Sequence, residues 1–554
     1  IELLLDRHAN INAVDRNGDT PLHRASSNGH HQCIELLLDR HADINSLGYN
    51  RTPLHYALWT GHHQCIELLL DRHANINAVD RNGNTPLHRT SSHGHHQCVE
   101  LLLDRHANIN AVDRYGDKPL HVASSNGHHQ CIEVLLDRYA NINAVDQYSR
   151  TPLHIASSYG RHQCIEVLLD RHANVNATSP DGDTPLHHAS SKGHHQCVEL
   201  LLDRHANVNA TSPDGRTPLH HASSKGHHQC VELLLDRHAN VNATSPDGRT
   251  PLHHASSKGH HQCVELLLDR HANINDTHRD GRTPLLQALY YGHHKCVAVL
   301  LDRHADINAA SPYGDTPLHV ASSNGHHQCV ELLLDRHANI NAVDHYGLTP
   351  LHRASSNGHH QCIELLLDRH ANINAIDRSG NIPLHEASSN GRHQCIKLLL
   401  DRHASINAVD RSGKTPLQCA VHQGRRQCVE LLLDRHADIH AVARDGRTPL
   451  HRALSYGHHQ CVELLLDRHA NINDPAQVGR TPLHEALYFG RYQCIELLLD
   501  RHADINAVDE NGNTPLHIAS SMGHHQSVEL LIDHGANKSI TNVRHPSIDL
   551  YLDS

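Results

Sequence analysis

The 554-residue chain holds one Trp, one Phe and one Met, and aromatic residues make up only 3% of it. No apolar run approaches the roughly 20 residues that a membrane-spanning helix needs, which excludes insertion of this segment into a bilayer. Positive charge is not in excess: the formal charge is −12 with histidines neutral. Nucleic-acid binders usually carry a basic face, so no nucleic-acid partner is expected. No Gly-rich phosphate loop occurs, because the glycines stand singly at turns and helix ends. No Cys-x-x-Cys or His-x-x-x-His pair closes a metal site. No nucleophile is singular either, since Ser26, His30, Cys33 and Asp39 recur as a set along the chain. A catalytic serine or cysteine has to be distinguished from its surroundings. An enzyme residing here is therefore not expected, nor is a cofactor or a small-molecule substrate.

What the chain does have is repetition. Thr-Pro-Leu-His begins at residue 20 and returns, intact or slightly altered, at 52, 85, 118, 151 and then every 33 residues to 514. The first interval is 32, and the missing residue falls in the loop Ser46 to Arg51. That makes sixteen units, and a fixed period of this length marks a stacked repeat array. Residues 1–18 are the second half of a unit, without an initiator Met, and the chain reads as a piece of a longer protein. A missing signal peptide then carries no information. The array runs over 19–540, and 541–554 reads as a degenerate cap. Residues 178–210 and 211–243 differ only at Asp183 and Arg216. The near-identical stretch 178–275 is read as a recent duplication, and as a spacer because identical faces carry little information.

One unit shows what is built. Asp15 to Gly18 is a turn signal. Thr20 caps a helix whose first residue is Pro21, where the missing N–H is harmless. Leu22 and Ala25 share a face, and Gly29 ends this short helix. A second helix carries the stripe Cys33, Ile34, Leu37 and Leu38, with Glu35 and Asp39 on its wet side. Helices this short are marginal alone, so each unit must bury its apolar face against its neighbours. Fifteen of the sixteen cysteines share one repeat position; the odd one is Cys419. Neighbouring helices pack about 8–10 Å apart, beyond the roughly 7 Å limit for a disulfide. Cysteine is thus a small core residue, and the expected setting is reducing, intracellular and cytoplasmic.

The pattern D-x-x-G-x-T-P-L-H-x-A-x-x-x-G-H-x-x-x-[IV]-x-x-L-L-x-x-x-A-[DN]-[IV]-N resembles the ankyrin repeat, over essentially the whole chain. The resemblance implies an all-α solenoid of helix–loop–helix units with projecting β-hairpin loops. It implies protein recognition through the hairpin tips and the inner, concave helix face. The chain departs from the family after the second helix. Where Gly is usual, His stands in fifteen units (His8, His41 and onward to His502), Tyr139 in one and Gly only at 535. A left-handed residue is expected there, at some strain. Lys118, Leu286, Ile382 and Gln418 also break the Thr-Pro-Leu-His motif, and their units are expected to be weaker.

The 65 histidines recur mainly at four places, as at His23, His30, His31 and His41. Adjacent His30 and His31 point to different helix faces, so only weak, adventitious nickel or zinc binding is expected and no dedicated metal site. Full protonation would carry the formal charge from −12 to +53, so acid should loosen the stack. Asn176, Asn209 and Asn242 match a glycosylation acceptor but are read as framework residues.

Candidate binding residues come from comparing units. Trp59, Tyr159, Tyr290, Tyr291, Tyr456, Tyr488 and Phe489, with Met522, occupy the two places before the Gly that ends the first helix. Tyr115, Tyr148, Tyr313 and Tyr346 sit at the turn tip. Eleven of the sixteen aromatics thus use three places per unit, and exposed aromatics and arginines are the usual interface anchors. The competing reading is that each ring packs on the adjacent unit. Patches are expected around Trp59 with Tyr49 and Tyr56, at Tyr290–Tyr291, and around Tyr456 with Tyr488 and Phe489. The turn arginines Arg216, Arg249, Arg282, Arg447 and Arg480 would grip acidic partner segments. The expected function is a non-catalytic protein-interaction scaffold. The alternative is the targeting arm of a larger protein, such as a ubiquitin-ligase adaptor, kinase or channel.

Overall fold

The computed structural model describes residue 6 and residues 9–539. The proposed cap at 541–554 and His8 lie outside the described residues. Contacts divide the chain into two compact units, residues 1–279 and 280–554. Within each, every repeat folds as the same helical pair. The first helix has seven or eight residues and starts at the motif proline, as in Pro218–Lys225. The second has nine, as in His228–Asp236. Thirty-two such helices stand among the described residues.

The capping expected of the motif threonine takes an unexpected form. Thr217 Oγ1 accepts from the His220 backbone N–H at 3.4 Å, while the Thr217 N–H donates to His220 Nδ1 at 3.1 Å. This is a reciprocal capping box with His in the place of the usual Glu or Gln. Because a backbone N–H can only donate, Nδ1 must accept and Nε2 must carry the proton. That Nε2–H donates to the Arg249 carbonyl of the next repeat at 3.2 Å. The motif histidine is therefore an inter-repeat bolt, and it is buried in each intact unit.

The four altered motifs are not equivalent. Gln418 reproduces the bolt: Oε1 accepts from Thr415 N–H at 3.1 Å and Nε2 donates to the Ala441 and Arg447 carbonyls at 3.0 and 2.9 Å. On hydrogen bonding, the expected weakness of this unit is not found. At Lys118 and Ile382 the histidine still accepts the backbone N–H, at 3.2 Å, and only the hydroxyl is lost. Leu286 retains only the cap, Thr283 Oγ1 accepting its N–H at 3.3 Å.

A second bolt runs from the other helix. His227, just before the second helix, reaches the Ser191 carbonyl of the preceding repeat through Nε2 at 3.1 Å. Its ring lies over Gly193, where an added Cβ would stand 2.5 Å from Nδ1. In some repeats arginine replaces it, as Arg161 Nε donates to the Ser125 carbonyl at 2.9 Å. The glycine ending the first helix thus does two things: it supplies a positive φ, 79° at Gly193, and it leaves a seat for the neighbour.

The second helices end as the sequence indicates. His205 has φ 65°, and fourteen histidines and Tyr139 at this place fall between 61° and 67°. His41 N–H bonds to Leu38 O at 3.0 Å and Ala42 N–H to Leu37 O at 2.9 Å, the Schellman arrangement. A residue with a Cβ is strained there by about 1 kcal/mol. Replacing His205, His238 and His271 by Gly is expected to raise the thermal midpoint, with about 1 kcal/mol gained per site; a midpoint that stays or falls would refute the strain.

The core is the shared apolar seam, with Cys230, Val231, Leu234 and Leu219 fully buried in one repeat and the corresponding residues in the next. All sixteen cysteines are free thiols. Outside the seam, Arg204 meets Asp170 at 2.8 Å and Arg237 meets Asp203 at 2.7 Å, part of a surface ladder of one ion pair per repeat. Exposed pairs of this kind add little stability. The projecting loops are hairpin-shaped turns rather than strands. Asp80 N–H bonds to Asn84 O at 3.0 Å, and Arg114 N–H joins the next loop to Asn82 O at 3.0 Å. Among the described residues the one bridge of β type is Gly48–Arg51.

Candidate functional site

The first helices present their last residues, and the turns their tips, at the surface. The eleven rings at the three repeat places are exposed there, from 38% for Tyr488 and Phe489 to 66% for Tyr313. None of them is buried by the adjacent repeat, although Trp59 and Tyr456 rest against His93 and His422 of neighbouring repeats. Two predicted pairs touch: Tyr290–Tyr291 and Tyr488–Phe489, each edge-on with centroids 5.1 Å apart. Tyr456 instead meets His422 at 4.3 Å. In the first patch, the Arg51 guanidinium lies 4.5 Å over Trp59, and His93 flanks the same ring. Tyr56 is drawn away from it, its hydroxyl donating to Asp19 Oδ1 at 2.9 Å, and Tyr49 lies under Arg81. Tyr115 and Tyr148 lie beneath Arg114 and Arg150, while Tyr159, Tyr313 and Tyr346 stand open.

The turn arginines have in-chain neighbours. Arg282 and Arg480 each stack 4.7 Å over Tyr290 and Tyr488. Arg447 pairs with buried Glu485 at 2.7 Å, and Arg216 and Arg249 meet Asp214 and Asp247 at 3.3 Å. A guanidinium stacked on a ring is pre-positioned for recognition, since both groups are held without losing rotamer freedom on binding.

Two surface features escaped the reading of the sequence. Tyr492 is exposed beside Phe489 in the chain, at the first position of its second helix. A row of apolar residues also projects from the turn entrances, including Val79, Val112, Val343, Ile376 and Val442. The signal was present as the repeated Ala-Val-Asp, which becomes Ala-Thr-Ser at 177–179, 210–212 and 243–245.

The singular cysteine deserves a chemical test. Cys419 lines a recess of about 220 Å³ together with Glu386, Asp410, Lys414 and His422. Burial, with Asp410 nearby, pushes its thiol up to about 12, so it is protonated at neutral pH and not a nucleophile. Two of the repeat cysteines behave alike, for burial pushes Cys131 and Cys230 up to about 12. Among the described residues, no group of three or more His, Cys, Asp or Glu side chains is placed to hold a metal ion. No helix among them is long and apolar enough to cross a membrane.

A family model described as ankyrin repeats, three copies at a time, matches residues 1–80, 73–146, 112–179, 153–245, 237–311, 309–377, 370–443, 436–509 and 474–542. A solved structure, the crystal structure of the human ASB11 ankyrin repeat domain, is 32% identical, with a TM-score of 0.38 over 40% of this chain and 99% of that chain. No curated protein sequence matches the chain.

Proposed function

We propose, on the premise that this chain belongs to the ankyrin-repeat family, that it is a non-catalytic scaffold binding other proteins through its first-helix ends and turn tips. Ankyrin repeats are generally protein–protein interaction modules, and the fold typically has no catalytic role. The observation that carries the finer reading is the exposure of eleven rings at three places per repeat, in a chain otherwise poor in aromatics. Rings are the side chains whose burial at an interface contributes most. The apolar row at the turn entrances adds to this surface and is interrupted at Thr178, Thr211 and Thr244, consistent with 178–275 acting as a spacer. The test is affinity capture with the chain and with its Trp59→Ala/Tyr488→Ala/Phe489→Ala variant, whose rings are all peripheral to the core. Loss of specific partners from the variant is expected. Retrieval of the same proteins at the same level would sink the surface assignment.

A further inference from the structure

Three of the exposed rings share one place, the first of the two before the helix-ending Gly: Trp59, Tyr290 and Tyr488. Each follows a turn arginine by eight residues, namely Arg51, Arg282 and Arg480. Each arginine lies over its ring, at 4.5 Å for Arg51 and 4.7 Å for the other two. Four further turn arginines are followed at that distance by serine, at Ser158, Ser224, Ser257 and Ser455. All four meet a carboxylate of the chain. Arg150 and Arg447 reach Asp146 and Glu485 at 2.7 Å, and Arg216 and Arg249 reach Asp214 and Asp247 at 3.3 Å.

Arg51 and Arg480 differ from these four, for among the described residues neither makes an ion pair. The Arg447–Glu485 pair shows the reason. Glu485 stands in the next repeat, directly after the motif histidine, and is buried there, also accepting from Ser455 Oγ at 2.7 Å. One repeat after Arg51 the same place holds Arg89, which is committed to Asp80. One repeat after Arg480 it holds Ile518, which is buried. The neighbour thus offers these two arginines no carboxylate from that place. Stacking occupies the face of a guanidinium and leaves the N–H groups in its plane to donate. Beside each pair lies more ring surface: His93 is 5.7 Å from Trp59, and Phe489 is 5.1 Å from Tyr488.

We propose that the Arg51–Trp59 and Arg480–Tyr488 pairs each receive a partner-protein segment in which a single Asp or Glu adjoins an apolar or aromatic side chain. The carboxylate pairs with the guanidinium, as Glu485 does with Arg447, and the adjoining side chain covers the exposed ring. The planar fork matches a carboxylate, and an arginine already held on a ring loses little freedom when the pair forms. A run of acidic residues does not fit, because the chain carries a formal charge of −12 and repels it. The proposal rests on the protein-binding reading above. It separates Arg51 and Arg480 from Arg216, Arg249 and Arg447, whose carboxylates are supplied within the chain.

The test pans a phage-displayed library of random dodecapeptides on the whole chain and measures the selected peptides by fluorescence anisotropy. Peptides with one Asp or Glu beside Phe, Trp, Tyr or Leu are expected to be enriched. Arg51→Gln/Arg480→Gln should weaken them about tenfold, and so should Asp→Asn or Glu→Gln within the peptide, which leaves the protein untouched. Arg216→Gln/Arg249→Gln should bind them like the parent. The inference is overturned if the library yields no binder, or if the selected peptides lack a carboxylate. It is equally overturned if the Arg51→Gln/Arg480→Gln variant binds like the parent, or if the Arg216→Gln/Arg249→Gln variant loses as much. Apolar peptides without a carboxylate that bind the parent but not the Trp59→Ala/Tyr488→Ala/Phe489→Ala variant would overturn this inference and leave the ring surface standing. Unchanged affinity capture by that ring variant would instead remove the reading on which the inference rests.

Discussion

Acidification from about pH 7.5 to 5 is expected to lower the stability of this chain steeply. The motif histidines are bolts only when neutral. Burial holds His55, His121, His154 and His220 down at about 4, and His254, the residue after a motif histidine, at about 3. In the unfolded chain these groups titrate near 6.5. Below that pH the unfolded state binds protons that the folded state refuses, so stability is fully present above about 6.5 and is lost as pH falls toward 4. Each of these five contributes about 2 kcal/mol of loss at pH 5, against the roughly 5–15 kcal/mol that usually holds a domain. Asp117 works in the opposite sense, since burial raises it to about 6, and burial raises Asp183 and Glu386 too, but these are few groups against many. Gln418 indicates the control. Replacing His55, His121, His154 and His220 by Gln should keep the bolts and weaken the dependence. Melting curves at both pH values read the result; parallel curves for parent and variant would refute the assignment.

Why the chain's own pattern did not reveal these bolts is instructive. The period, the Thr-Pro cap, the apolar stripe and the left-handed histidine are local: each follows from residues within a few positions of one another. The bolts join residues 29 and 36 apart, as in His220 to Arg249 and His227 to Ser191. They donate to backbone carbonyls, which every residue has, so no side-chain pattern marks the partner. The exposure of the rings could be guessed but not decided, because a Tyr before a helix-ending Gly can turn either way until the neighbour's packing is known.

Gly193→Ala is expected to cost about 2 kcal/mol. A Cβ at φ 79° is strained by about 1 kcal/mol. It would also stand 2.5 Å from the His227 ring, displacing it and breaking the 3.1 Å bond to Ser191 O, worth about 1 kcal/mol more. Gly523 isolates the first term, because its φ is 71° but nothing lies within 4 Å of the added atom. Gly523→Ala should cost only about 1 kcal/mol. Urea denaturation of the two variants gives the difference. Equal losses would show that the seat for the neighbouring histidine contributes nothing.

Ser191, Gly193 and His227 meet the same chemistry as Ser224, Gly226 and His260 one repeat on, where the bond measures 3.2 Å against 3.1 Å. Excise residues 211–243, and His260 lands on Ser191 with an unaltered junction. A gene encoding such a chain can therefore lengthen or shorten by unequal crossing-over in whole modules. Alleles differing in module number would fold alike while setting the outlying aromatic clusters at different spans.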